Sequence, residues 1–373
     1  MLSETTGYII ECFILFTLGS LLYYLTHSHA NIQSKYLLAL AIKKKYPFAL
    51  IALFMTIIGF ILKFYLDINK TIIFFSQGYG ATYDFKSYGF VSLFSTFFEY
   101  GIAVLLLVNF DHIKKRNRVL LIFLFVEGFS LISGSRAKVF VWSLVLFIIY
   151  ITLSPTVKPF KSIKYVFFGF IGLCIIVIIG IFRNSSDKTL SFFSQLPNFQ
   201  IFDFFSIVLA EMGSTINSVY NSIFTFPKHF DFSNGKNYIV GLLTVFPNIN
   251  SLNIFINDIV FFPKRFSEGY GMFAGGSIIG ETYYAFGHYG SLLFIVIGYY
   301  IEKISSHLSL AIQTKNVKSF ILILPFLGTM LWWNRDYFSS MIREWIWMSC
   351  ILFILLASSL LSSKNIQRDK YEH

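Results

Sequence analysis

The chain has 373 residues, of which 55% are hydrophobic, and its mean hydropathy is +0.66. A soluble domain of this length is not so apolar, so the composition excludes an ordinary water-soluble protein. The net charge of +11 does not indicate nucleic-acid binding, because the basic residues lie beside the apolar segments. Contact with anionic membrane lipids explains this charge more simply.

Apolar segments of roughly 20 residues predict membrane spans, since that length crosses the hydrocarbon core as a helix. The first segment has no basic leader and no small-residue cleavage site, which predicts a retained span and not a signal peptide. The sequence therefore predicts an all-α polytopic membrane protein that forms one domain over residues 1–373. The nine predicted spans cover residues 8–26, 46–66, 87–109, 118–134, 137–154, 164–182, 277–301, 319–334 and 345–361.

Lysine and arginine are concentrated in alternate connections between these spans. The basic connections are 27–45, 110–117, 155–163, 302–318 and the tail from residue 362. Because cytoplasmic loops carry the excess of positive charge, this set is predicted to be cytoplasmic. With nine spans, the N-terminus then lies outside and the C-terminus inside. The segment 183–276 becomes one large outer loop, too long for a simple turn.

Two runs inside this outer loop leave its topology open. Residues 198–226 form an amphipathic run, and residues 238–262 form a more apolar one. Asp203, Glu211 and Asn217 in the first run favour helices that lie on the outer surface. The alternative is a hairpin that crosses the membrane, which gives eleven spans in total.

Single basic residues stand at the outer ends of several spans, where positive charge is normally avoided. The arginine guanidinium is a planar fork of donors that matches phosphate oxygens. Together these side chains could converge on a pyrophosphate at the outer membrane face. For each one taken alone, an alternative is a headgroup contact or a local salt bridge. The residues are Arg136, Lys138, Arg183, Arg265, Arg335 and Arg343.

The short outer connection before the last span holds four charges, in the pairs Arg335-Asp336 and Arg343-Glu344. Such a density indicates either a site or a salt-bridged cap. Asp336 could orient Arg335 or act as a general base.

Glycine is frequent where the long outer loop meets the seventh span. Gly275 and Gly276 precede this span, Lys264 lies upstream of them, and Glu281 lies just inside the span. Such glycines permit close approach of the backbone, so sugar or phosphate could bind against main-chain groups. The alternative is helix packing through small residues, which is stronger for Gly287 and Gly290 inside the span. Glu281 is either a partner for an arginine or a catalytic group.

With these residues in view, the chain resembles the O-antigen polymerase (Wzy) family of bacterial oligosaccharide repeat-unit polymerases over most of its length. Arg265 and Gly276 also fit the R-x10-G spacing of outer loops in such polymerases. Other motifs that carry the resemblance are Ser133-Gly134-Ser135-Arg136, Arg183 at the start of the outer loop, Tyr238 to Pro247, Gly275-Gly276-Ser277 to Gly280-Glu281-Thr282-Tyr283 with Phe286-Gly287, and Arg335-Asp336.

The resemblance implies a GT-C-type transferase at the outer face of the cytoplasmic membrane. It would move a growing glycan from undecaprenyl pyrophosphate to the sugar of a second lipid-linked unit, making O-antigen or capsule without a cofactor or metal. A chain-length regulator and a flippase are possible partners. Family members often have ten to twelve spans, whereas nine are predicted here.

The resemblance also implies roles for particular residues. Arg136, Arg183, Arg265 and Arg335 would hold pyrophosphates and stabilise charge on the leaving group. The candidates for the general base are Glu281, Asp336 and His288, in that order. Lys138, Lys264, Arg343, Gly275 and Gly276 complete the predicted binding residues.

Two other functions compete with polymerisation. An O-antigen ligase would favour a prominent histidine in the outer loop, where only His229 qualifies. A lipid-linked oligosaccharide flippase or other transporter would show paired repeats and charges at the membrane midplane. Here Glu99 and Glu127 are the exceptions in a midplane that is nearly free of charge.

Overall fold

The structure is a computed structural model. It describes residues 2–27, 46–77, 82, 85, 89–132, 136–153, 215–246, 276–314 and 316–368. Within these ranges the secondary structure is helical, which confirms the predicted all-α class. Eight of the nine predicted spans lie on described helices, and the ninth, 164–182, lies outside the described residues.

The helices are labelled in chain order. They are α1 (Leu2–His27), α2 (Tyr46–Gln77), α3 (Gly89–Ser95), α4 (Phe97–Asn109), α5 (Ile113–Ile132), α6 (Arg136–Leu153), α7 (215–225), α8 (Lys236–Leu243), α9 (Ile278–Phe286), α10 (Leu293–Gln313), α11 (Val317–Trp333) and α12 (Phe338–Arg368). A 3-10 helix, Gly287–Leu292, joins α9 to α10.

Five stretches of described helix are long and apolar enough to cross a bilayer, namely Ser3–His27, Phe48–Gln77, Gly89–Asn109, Ile278–Gln313 and Phe338–Ala357. Shorter apolar helices cover Lys138–Leu153 and Val317–Trp333. The protein is therefore polytopic, as the hydropathy predicts.

Two helices extend well beyond their predicted spans. The span predicted at 46–66 continues as helix to Gln77, and the span at 277–301 continues to Gln313. Hydropathy falls after these limits because polar residues follow, but backbone hydrogen bonding continues the helix regardless of side-chain polarity. The connection predicted at 302–318 is thus mostly helical, and α11 begins where the Asn316 side chain accepts a hydrogen bond from Ser319 N at 3.3 Å.

The described helices group into two compact units. The first contains Met1–Ala41 and Ser214–His373, and the second contains Ile42–Gly213. The prediction of one membrane domain with a large outer loop over 183–276 stays a prediction, because most of that loop lies outside the described residues.

In the first unit, α1 packs along α10, and α11 forms a hairpin with α12. Gly19 and Gly298 allow the close approach of α1 and α10. A side chain at Gly19 would overlap the carbonyl of Ile295, and one at Gly298 would overlap the carbonyl of Phe16. Small residues at such contacts are the usual means by which membrane helices approach closely.

The predicted seventh span is interrupted within this unit. Gly287 has φ of 61°, a value that glycine adopts without steric cost, and it ends α9. The 3-10 turn that follows packs tightly, because a side chain at Gly290 would overlap the carbonyl of Thr282. Helix α10 then resumes at Leu293.

In the second unit, α2 packs mainly against α4, and α5 and α6 complete the group. Gly59 lies against the backbone of Phe98, where a side chain would not fit. The rings of Tyr100 and Trp142 join α4 to α6 in an edge-on contact with centroids 4.7 Å apart.

Candidate active site around Glu281 and Asp336

Glu281 lies in the first turn of α9 and is only 2% exposed. Its Oε2 accepts hydrogen bonds from the backbone N–H of Phe338 at 2.8 Å and from the indole N–H of Trp333 at 3.3 Å. Its Oε1 accepts from the Asn237 side chain at 3.4 Å. One carboxylate therefore connects α9, α8 and the connection between α11 and α12.

The orientation of Asn237 is set by a neighbouring hydroxyl. Ser233 Oγ donates to Asn237 Oδ1 at 2.6 Å, so the amide NH2 group is free to face Glu281. Ser233 is itself held by its backbone N–H, which donates to the carbonyl of Tyr284 at 3.0 Å. The segment before α8 thus fixes the side chain that donates to Oε1 of Glu281.

Asp336 lies in the connection between α11 and α12. Its Oδ1 accepts from the backbone N–H of Tyr337 at 2.8 Å, and its Oδ2 accepts from the indole N–H of Trp332. Burial raises the pKa of the Asp336 carboxyl, and the nearby Glu344 adds to this, while the hydrogen bonds lower it in part. The group consequently holds a proton more tightly than an exposed aspartate does.

Gly276 brings the segment that leads into α9 into contact with the Arg335-Asp336 connection. A methyl group at this position would overlap the backbone carbonyl of Asp336, so the main chains are in direct contact. Gly276 and Glu281 therefore both touch the α11–α12 connection, through the backbone of Asp336 and the N–H of Phe338 respectively. The predicted residues Gly276, Glu281 and Asp336 thus meet in one place.

The side chains of Arg335 and Arg343 are exposed next to this centre. Arg335 precedes Asp336, with its backbone N–H bonded to the carbonyl of Trp332 at 2.9 Å, and Arg343 lies in the second turn of α12. Arg335 is therefore exposed directly before the half-buried Asp336, and Arg343 is exposed on the helix that begins at Phe338.

The other predicted binding residues lie either in the second unit or outside the described residues. Arg136, described by its backbone alone, begins α6 in the second unit, and Lys138 follows it there. Arg183, Lys264, Arg265 and Gly275 lie outside the described residues. Convergence of the arginines on one pyrophosphate stays a prediction.

His288, the third candidate for a base, lies just beyond the end of α9. Its Nε2 is 3.7 Å from Oε1 of Glu4, and its ring meets those of Tyr8 and Tyr283 edge-on. His229, in the turn after α7, lies near the ring of Phe224. His288 is therefore placed beside a carboxylate, whereas His229 has an aromatic neighbour.

Three supporting residues, Ser233, Asn237 and Trp333, are not among the predicted site residues. They lie far from Glu281 in sequence, and no local sequence pattern predicts the side-chain hydrogen bonds through which they act. The indole of Trp333 is buried, which a tryptophan at a helix end facing lipid headgroups would not be. A polar residue at the start of a short apolar helix, as at Asn237, is the one signal that the sequence offers for them.

Comparison with known proteins adds a match over almost the whole chain. The sequence model of the family described as O-antigen polysaccharide polymerase Wzy matches residues 3–365. No curated protein and no solved structure matches the chain significantly. The matched range includes both units and every residue of the Glu281–Asp336 centre. On this match the chain belongs to the O-antigen polysaccharide polymerase Wzy family.

Proposed function

We propose that this protein polymerises undecaprenyl-pyrophosphate-linked oligosaccharide repeat units at the outer face of the cytoplasmic membrane, without a metal ion. The acceptor hydroxyl oxygen attacks the anomeric carbon of the donor glycan. A new glycosidic bond forms, the bond from that carbon to the pyrophosphate oxygen breaks, and the hydroxyl proton passes to a carboxylate. Undecaprenyl pyrophosphate is the leaving group.

The observation that carries this proposal is the meeting of Gly276, Glu281 and Asp336 beside exposed Arg335 in a chain of this family. Asp336 is the preferred base, because its connection reaches the surface next to a guanidinium and its pKa is raised toward the working range of a general base. Glu281 is enclosed by three protein donors, so its main task is to hold the start of α12 and the Asp336 connection in place.

Arg335 and Arg343 bind the pyrophosphate and stabilise the negative charge that develops as the carbon–oxygen bond breaks. The remaining predicted basic residues, Arg136, Lys138, Arg183, Lys264 and Arg265, complete this anion site, with the backbones of Gly275 and Gly276 in close approach. In this proposal the enzyme is of the GT-C type and works at the outer face, where a flippase delivers the repeat units. A chain-length regulator could then act on the growing polymer, whether it is O-antigen or capsule.

The test is to delete the gene in its host and separate the surface polysaccharide on a gel. Loss of the ladder, with a single repeat unit still attached to the lipid core, supports the polymerase. Loss of every unit from the core, with long chains still on the carrier, would show a ligase instead. Units trapped on the cytoplasmic side would show a flippase.

Complementation of the deletion tests the arginine roles. Arg335→Ala is expected to restore normal protein levels but no ladder. The matched control is Arg118→Ala, since Arg118 is also exposed but lies next to the predicted cytoplasmic connection 110–117. A full ladder from Arg335→Ala would remove this residue from the pyrophosphate site.

A further inference from the structure

A buried cluster of charged residues lies in the second unit. Lys63 of α2 places its Nζ 2.6 Å from Oε1 of Glu99 in α4 and 2.9 Å from Oε1 of Glu127 in α5. The three residues are 7%, 1% and 2% exposed, respectively. Ionisable groups at such depth in a membrane protein are costly and are normally retained for a reason.

The remaining titratable groups around this cluster form a second group centred on Asp67. Its carboxylate accepts a hydrogen bond from Ser130 of α5. Lys70, one turn further along α2, interacts electrostatically with Asp67, with Lys63 and with Lys138 of α6. The negative charge of Asp67 is therefore stabilised by the Ser130 hydroxyl and by Lys70, and not by Lys63 alone.

Glu99 and Glu127, by contrast, depend on the same ammonium group. Oε1 of Glu127 has only its ion-pair contact with Lys63. Oε2 of Glu99 and Oε2 of Glu127 are both buried and have no hydrogen-bond partner among the residues that the structure describes. If both carboxyls were ionised, Lys63 would neutralise only one of the two charges. An unpaired carboxylate in a medium of low polarity is far less stable than its protonated form.

We propose that Glu99 and Glu127 form a proton-binding site within the membrane, in which the pair retains one proton at neutral pH. The proton comes from water, and it converts one carboxylate into a carboxylic acid. The other carboxylate and Lys63 then form a balanced ion pair. The acid O–H also supplies a donor that the two orphaned oxygens otherwise lack. This site is independent of the glycan chemistry proposed above.

The proposal predicts how the stability of the protein depends on pH. Loss of this proton leaves a buried carboxylate that Lys63 does not neutralise, so stability is present at neutral pH and falls as the pH rises through the range in which the proton leaves. The melting temperature of the purified full-length protein in detergent is therefore expected to fall at alkaline pH. Glu99→Gln and Glu127→Gln should each remove most of this alkaline sensitivity.

Infrared spectroscopy detects the proton directly. At neutral pH the wild-type protein is expected to show a protonated-carboxyl band, shifted in D2O, that is missing from both Glu99→Gln and Glu127→Gln. Loss in both is expected because removal of either acid leaves the other ionised with Lys63. Asp231→Asn, at an exposed site in the first unit, is the control that should keep the band. Identical spectra for the wild type and both glutamine variants would overturn the proposal.

A charge series provides a second measurement that does not depend on spectroscopy. The single glutamine variants should melt close to the wild-type temperature at neutral pH, because glutamine is neutral like the protonated acid. The double variant Glu99→Gln/Glu127→Gln should melt well below it, since Lys63 is then left buried without a carboxylate. Addition of Lys63→Met should restore part of the loss. Single variants that melt as low as the double variant would contradict a shared proton.

Discussion

Gly276, Glu281 and Asp336 show how single residues can join distant parts of the chain. Glu281 accepts hydrogen bonds from α8, from the end of α11 and from the start of α12, while Gly276 lies against the backbone of Asp336. None of these contacts is large in area. Their importance comes from placing the connection that carries the exposed Arg335 and the half-buried Asp336 against the buried Glu281.

Substitution of Gly276 tests the backbone contact. Gly276→Ala is expected to displace the Arg335-Asp336 connection, because the added methyl group overlaps the Asp336 carbonyl and rigid backbone must move. We expect the ladder to be lost or strongly shortened when this variant complements the deletion. Gly7→Ala is the matched control in the same unit, since no atom lies within 4 Å of a side chain there. Equal ladders from the two variants would show that the contact is unimportant.

The pH dependence of polymerisation tests Asp336 as the base. A base must be deprotonated, so activity is expected above its pKa and is lost as the pH falls through it. An ordinary exposed aspartate has a pKa of about 3.9. Because burial raises the pKa of Asp336, the loss of activity should begin at a higher pH than it would for such an exposed residue. Asp336→Asn should reduce the polymerisation rate by roughly 100-fold or more, and the remaining activity should no longer fall at low pH. An active Asp336→Asn variant with an unchanged pH profile would assign the base to another residue.

At the scale of helices, hydropathy predicted the positions of the described spans but not their lengths or their interruptions. Each span is a local property, because about 20 consecutive apolar residues carry the signal. The extension of α2 to Gln77 and the break at Gly287 depend on hydrogen bonding and on packing against other helices. The sequence signalled the glycines near the break and favoured helix packing for Gly287 and Gly290, but it did not predict the break itself.

The contact between α1 and α10 can be tested through its glycines. Gly19→Leu or Gly298→Leu should force the two helices apart and destabilise the first unit by roughly 1–3 kcal/mol, because the backbones are already in contact. Melting of the purified protein in detergent measures this loss. Gly7→Leu, on the same helix but in open space, should melt close to the wild type. A stable Gly19→Leu variant would show that α1 and α10 are not packed in this way.

At the scale of the whole molecule, the chain is a multi-pass protein of the bacterial inner membrane and a member of a family that polymerises O-antigen repeat units from lipid-linked oligosaccharides. Composition and the order of short motifs were enough to predict this class. They also named Gly276, Glu281 and Asp336 as candidate site residues, but not the contacts that bring them together. The Lys63, Glu99 and Glu127 cluster was not predicted. Its members lie in three different spans, and pairing across helices leaves no local sequence pattern.

The predicted orientation of the termini is a property of the whole chain and has a direct test. An N-terminus outside and a C-terminus inside follow from the basic connections if the number of spans is odd. Alkaline phosphatase fused to the C-terminus should be inactive, and green fluorescent protein at the same place should fluoresce. An active alkaline phosphatase fusion and a non-fluorescent green fluorescent protein fusion would place the C-terminus outside. That outcome would require an even number of spans, or would place the basic connections outside.

The central claim is that this chain alone performs repeat-unit polymerisation. The most direct measurement is to reconstitute the purified protein in liposomes with only the undecaprenyl-pyrophosphate-linked repeat unit and to separate the products by size. The account predicts a ladder of longer lipid-linked glycans, release of undecaprenyl pyrophosphate in step with each linkage, and neither product with Arg335→Ala. A wild-type preparation that is folded and binds the substrate, yet makes no product longer than one unit, would contradict it.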